Sequence, residues 1–183
     1  MKETPPVISA DIAARLNAQI NREFYSAYFY LALSAQAEAG SLKGTAAWFA
    51  AKHREEMTHA LKMYRYVLDQ GATVQLAQVA APPAETQGVL DMFERTLTHE
   101  REVTAAINDL VDQAVAGKDH ATSVFLHWFV TEQIEEEATV NEILGRLRLF
   151  GDKGQGLLLI DNELATLATQ MAQAAAAASS AAG

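Results

Sequence analysis

The chain has no cysteine among its 183 residues, which excludes disulfides and thiolate-held metals alike. Proline and glycine are scarce, with 4 and 10 copies, so little of the chain can be turn or irregular loop. Basic residues are few: 14 Lys and Arg stand against 23 Asp and Glu, for a net charge of −9 and a pI near 5.0. That balance argues against nucleic acid as a partner and favours cations. No apolar run is long enough to span a membrane, and MKETPPVISADIAARL at the amino terminus lacks the apolar core of a secretion signal. A cytoplasmic protein without a membrane partner is therefore expected. What is abundant is apolar residues, half of the chain, with Ala, Leu, Glu and Gln prominent, all strong helix formers. The length suffices for one all-α domain with a real core.

Periodicity divides the chain into helices. The first opens near Ser9, with Asp11 in its first turn, and runs to Ala39. Leu16, Ile20, Glu23, Ala27, Tyr30 and Ser34 form its stripe, at spacings of three and four. Gly40 ends it. The second spans about Leu42 to Gln70, with Phe49, Glu56, His59, Met63 and Tyr66 on one face. The stretch 71–87, GATVQLAQVAAPPAETQ, has Pro82-Pro83 and no helical period. It is a linker long enough to traverse a helix of about 25 Å, at roughly 3.3 Å per extended residue. The third helix is expected over about Thr86 to Ala116, with Phe93, Leu97, Glu100, Val103, Ile107 and Val111 in line. Gly117 closes it and Asp119 caps the fourth, which runs to about Phe150 and aligns Phe125, Phe129, Gln133, Glu136, Val140, Ile143 and Leu147. Gly145 marks a candidate bend there. Gly151, Gly154 and Gly156 read as a flexible joint before LLLIDNELATL, a short apolar helix suited to a subunit interface. One domain over residues 1–170 is expected, then an Ala-rich tail, 171–183, that extends the last helix or is disordered.

Acidic residues interrupt the apolar stripes at matched depths. Glu23 lies 17 residues before Gly40 and Glu56 lies 16 after it. Glu100 lies 17 before Gly117, with Gln133 and Glu136 16 and 19 after it. Since 16 to 17 helical residues rise about 25 Å, folding each hairpin brings these groups to one level. A single Glu on such a stripe is usually at its edge, reaching water; one on each of four core stripes is costly to bury without a cation. His59 follows Glu56 at i+3, on the same face. Glu-x-x-His is weak alone, but the other helices strengthen it. Oxygen-rich ligation with one imidazole suits iron(II), manganese(II) or zinc, and Glu56 is the natural bridge between two metals. Glu55, Glu132 and Glu135 form a further acidic group that could hold a metal nearer the surface, whereas Glu137 is read as a solvated charge. Tyr30 and Trp128 lie near the same level. Their ordinary role is core packing; their functional one is electron donation at a metal pair, for which Tyr30 is better placed.

With these residues in place, the chain resembles the bacterial non-haem ferritins over roughly residues 8 to 170. The likeness is specific in EFYSAYFYLALSA, HREEMTHALKMYRYV, FLHWFVTEQIEEE and GQGLLLIDNELATL. The resemblance implies a ferritin-like four-helix bundle with a long crossover between the second and third helices, plus a short fifth helix. It implies a first iron site at Glu23, Glu56 and His59, and a second at Glu56, Glu100 and Glu136 with Gln133 adjacent. A third, peripheral iron site would comprise Glu55, Glu132 and Glu135, with Tyr30 and Trp128 as neighbouring aromatics. The family oxidises Fe(II) with O2 or H2O2, stores a ferric oxyhydroxide mineral, and assembles as a homo-24-mer of octahedral symmetry with the fifth helix at the four-fold axes.

The residues also bear on the alternatives. Thr139, not a histidine, stands three residues after Glu136, so the two metal positions differ and the second lacks an imidazole. Such asymmetry favours metal that passes through after oxidation. A non-storing di-metal peroxidase or catalase would want two such histidines. Met57 stands where a haem-containing bacterioferritin carries its haem-ligating methionine, but non-haem ferritins share this local string, and haem is not expected.

Overall fold

The computed structural model describes residues 7–82 and 85–181; Pro83 of the diproline lies outside them. Five helices follow in order: α1 (Ala10–Ala39), α2 (Lys43–Asp69), α3 (Val89–Ala116), α4 (His120–Phe150) and α5 (Gly154–Ala181). There is no strand among the described residues.

Local chemistry sets the helix boundaries. Ser9 Oγ accepts the Ile12 amide at 3.2 Å and caps α1. Asp119 does the same for α4, taking the Thr122 amide at 3.0 Å and the Thr122 hydroxyl at 2.6 Å. The third helix starts three residues later than its pattern predicts. Gly88, at φ 109°, cannot be helical, and Thr86 is spent on a side-chain partner: its amide and hydroxyl donate to Gln36 Oε1 at 3.0 and 2.9 Å.

Hydrogen bonds along α1 fix the topology. Asn17 donates to the Thr73 carbonyl at 3.0 Å and accepts from the Gln75 amide at 2.8 Å, and Thr86 reaches Gln36 a helix-length further on. The linker thus climbs the outside of α1. Chain direction then reverses: Arg15, near the start of α1, bonds Asp109, near the end of α3, at 2.9 Å. The third helix runs antiparallel to α1 and parallel to α2, the arrangement a long crossover permits.

The core divides in two. One apolar cluster gathers Phe29, Leu33, Trp48, Phe49, Phe93, Leu144 and their neighbours, and α5 packs into it through Ile160, Leu164 and Ala168. The other gathers Ile12, Leu16, Ile20, Met63, Ile107, Leu126 and Phe129. On every helix of the bundle the acidic positions fall between these clusters, so a polar waist separates two apolar ends.

The fifth helix departs most from the sequence reading. It is long rather than short, 28 residues, because the alanines after Gln170 continue it. Within the glycine joint only Gly156 is close-packed, since a Cβ there would lie 1.9 Å from the Phe150 carbonyl oxygen, whereas Gly151 and Gly154 face open space at positive φ. Gly145 lies inside uninterrupted helix. Docking of α5 rests on Asp161, whose carboxylate accepts the Gly44 amide at 3.0 Å and the Thr45 amide and hydroxyl at 2.8 Å each. This caps α2 from a distance, where α2 lacks a capping side chain of its own. Gly44 permits the approach, since a Cβ there would stand 1.7 Å from the Asp161 carbonyl oxygen. Asp161→Ala leaves two buried amides without their acceptor and is expected to lower stability by about 1–3 kcal/mol in chemical denaturation; an unchanged midpoint would show that α5 is held by apolar contact alone.

Candidate metal centre

The waist of the bundle carries the acidic groups that the sequence aligns. Glu23, Glu56 and Glu100 are almost wholly buried, with Gln133, Glu136 and His59 close behind. Each occupies a position where its helix faces inward, so the fold itself imposes their proximity.

Glu23, Glu56 and His59 form the tightest set, each offering a ligand atom within 4.8 Å of the others. Gln19, one turn before Glu23 and equally buried, donates to Glu23 Oε1 at 2.8 Å and orients it. His59 Nδ1 lies 3.4 Å from Glu56 Oε2. Glu55, His59 and Glu132 make a second such group, half-buried at its acidic ends. His59 therefore joins this peripheral set, while Glu135 is exposed and stands outside it.

Glu100 and Glu136 are engaged otherwise. The buried Tyr30 hydroxyl donates to Glu100 Oε1, and Gln133 Nε2 donates to Glu100 Oε2 at 3.2 Å. Glu136 accepts from the ammonium of Lys52, a residue with only 2% of its side chain exposed. Lys52 also bonds Glu55 Oε2 at 2.8 Å and lies 3.9 Å from Glu56. A lysine so deep needs such partners. The sequence did carry its signal: Lys52 falls between Phe49 and Glu56 on the same stripe. His99 is another buried group outside the sequence reading, bonded to Ser26 at 2.8 Å and ringed by Tyr25, Phe29 and Tyr30. Trp128 is not a core aromatic. It is 36% exposed, stands edge-on to His59 at 5.3 Å between centroids, and carries the Lys62 ammonium over its face at 3.9 Å.

Burial and charge set the protonation of the waist. Desolvation, aided by the neighbouring Glu56 charge, pushes Glu23 up to about 8. Burial acts to raise Glu136 as well, against the pull of the Lys52 ammonium in direct contact with it. Burial acts to raise Glu56 too, but hydrogen bonding and charge from His59, with Lys52, outweigh it and hold Glu56 down at about 2. His59 rises to about 9: desolvation opposes its charge, but the Glu56 hydrogen bond and charge prevail. The cluster without metal is thus a Glu56–His59 ion pair beside a protonated Glu23, with Glu136 paired to Lys52, and a bound cation must displace protons.

Chemically, the donor set is carboxylate oxygen with one imidazole, in a buried site between packed helices. It fits a hard or borderline divalent cation and offers nothing to a soft one. Fold and site together define a helical-bundle metal protein of the carboxylate class. The ferritin-like domain family matches residues 13–150. Similar relatives include a bacterial non-heme ferritin of Campylobacter jejuni, 38% identical over 88% of this chain and 97% of that protein, and one of Escherichia coli O157:H7, 37% identical over 90% and 99%. An open-pore ferritin of the archaeon Archaeoglobus fulgidus superposes with a TM-score of 0.85 at 42% identity, covering 87% of this chain and 97% of that one. The chain belongs to the ferritin family, and iron storage is its function. Among the described residues no helix is long and apolar enough to cross a membrane.

The shifts of the metal-free cluster predict a pH dependence. Glu23 binds a proton more tightly folded than unfolded between about 4.5 and 8, and His59 does so between about 6.5 and 9. A native state holding extra protons loses stability as pH rises. Thermal melting of chelator-treated protein should therefore fall from about pH 5 to about pH 9. A melting temperature that climbs over that range would contradict these shifts.

Proposed function

We propose that the chain is a ferroxidase: it oxidises Fe(II) inside each subunit and passes the product to a mineral store. The observation that carries this reading is the convergence of Glu23, Glu56 and His59 at the buried waist. An Fe(II) there would take two carboxylates and an imidazole, and this ligand charge favours the ferric state as it forms. Glu56 faces both Glu23 and the Lys52–Glu136 pair, which suits it to serve a second Fe(II) shared with Glu100 and Glu136. Each iron gives up one electron to dioxygen or peroxide. Tyr30 is held on Glu100, close enough to the waist to donate an electron to the oxidant. Glu55, Glu132 and His59 would take a third iron on the way between the centre and the surface, with Glu135 beside Glu132 as an exposed relay.

The lack of a histidine after Glu136 keeps the second position carboxylate-only, without the paired histidines that hold a resident di-metal cofactor. That favours turnover of metal over a resident cofactor. Storage requires a container, and the proposed one is a cytoplasmic homo-24-mer shell. Leu158 and Leu159 on α5 are 61% and 46% exposed in the isolated subunit, which supports a subunit contact there.

Aerobic Fe(II) addition should load the assembled protein with far more iron than its ligand groups can hold, and iron limited to a few ions per chain would contradict storage. Glu56→Ala should slow the initial oxidation by roughly 100-fold, as expected for a ligand shared by both positions; fast oxidation in that variant, followed by absorbance of the ferric product, would place the chemistry elsewhere.

A further inference from the structure

We propose that Lys52 is a built-in occupant of the second metal position, so that the two positions of the centre fill in order rather than together. The inference rests on the metal-centre reading above. Its basis is where the ammonium sits. Lys52 Nζ is in direct contact with Glu136, 2.8 Å from Glu55 Oε2, 3.9 Å from Glu56 Oε1, and 5.9 Å from the centroid of the Tyr30 ring. Glu56 and Glu136 are two of the three carboxylates that a second metal would use, and the third, Glu100, is held by Tyr30 and Gln133. At the first position, Glu23, Glu56 and His59 are gathered and Lys52 reaches this set through Glu56, at 3.9 Å, rather than in direct contact as with Glu136.

A permanent cation at one position and not the other makes the centre unequal before any metal arrives. The first metal meets a set of ligands that is already assembled. A second meets an ammonium of like charge within bonding distance of its own ligands, and two cations cannot share that space. Lys52 must then leave Glu136. Its flexible stem and its existing bond to Glu55 define the exit, toward the Glu55–Glu132 edge of the site. Placing the ammonium there sets it against a metal at the peripheral group. The side chain is therefore a positioning residue that ranks the three groups: first position, then second, with the peripheral group weakened whenever the second is filled. The ammonium stays charged throughout, so the device depends on displacement and not on proton loss.

Zinc, which is redox-inert, tests the ranking on the assembled protein without iron oxidation. In calorimetric titration, the wild-type chain should bind a first Zn2+ more tightly than a second by roughly tenfold or more, a gap of about 1.4 kcal/mol or more. Lys52→Met, close in length and uncharged, should collapse that gap, and Lys52→Arg, which keeps the charge, should preserve it. Zinc-soaked wild-type crystals give the same answer without a variant. At one equivalent, zinc should lie at Glu23, Glu56 and His59 with Lys52 still on Glu136; in excess, zinc should lie at Glu56 and Glu136 with Lys52 turned to Glu55. Equal filling of both positions, Lys52 unmoved beside a filled second position, or an unchanged gap in Lys52→Met overturns the inference while leaving the metal centre intact. Zinc at neither position, in wild type and variants alike, overturns the metal-centre reading and this inference with it.

Discussion

Everything in this fold depends on burying acids between two apolar cores. A four-helix bundle gains its stability from continuous apolar stripes, and each helix here breaks its stripe at the same height. Four carboxylates at the waist are tolerable only if their charge is removed or matched. The metal-free chain does both. Burial keeps a proton on Glu23, while His59 supplies positive charge to Glu56 and Lys52 supplies it to Glu136. A divalent cation can replace protons and ammonium alike, which makes the same constraint the origin of the function.

The remaining architecture serves that waist. The apolar clusters on either side fix helix depth, and with it the level at which Glu23, Glu56, Glu100 and Glu136 meet. Asparagine and glutamine clamps hold the crossover against α1, which lets α3 return antiparallel to it and present Glu100 inward. Asp161 then ties α5 to the start of α2, the helix that carries Lys52, Glu55, Glu56 and His59. The helix proposed for subunit contact and the helix richest in candidate ligands are thereby tied together.

Much of this was legible in the residues. Ser9 and Asp119 are capping residues by type and place, and Glu23, Glu56, His59 and Glu136 stand out because helical spacing and turn positions together fix their depth. What escaped has physical reasons. Lysine is read as a surface residue by default, so Lys52 passed unnoticed on a core stripe although its i+3 and i+4 neighbours are Glu55 and Glu56. Trp128 was read as core because its size suggests burial, but its helix turns that face outward. In the peripheral group His59 meets Glu55 and Glu132, whereas Glu135, three residues beyond Glu132 on α4, is exposed. Asp161 gave no local signal, since its partners lie more than 100 residues away. The length of α5 turned on whether an alanine run with little to bury continues a helix, and intrinsic propensity prevailed.

The central claim is that protons and internal cations hold the acidic waist until a divalent metal takes their place. Anaerobic Fe(II) titration near pH 7, in two buffers of different ionisation enthalpy, counts the protons released as metal binds. The account predicts that the first Fe(II) expels protons from the Glu23–Glu56–His59 set, fewer as pH rises through about 8 to 9. Tight Fe(II) binding with no proton release at any pH would contradict it.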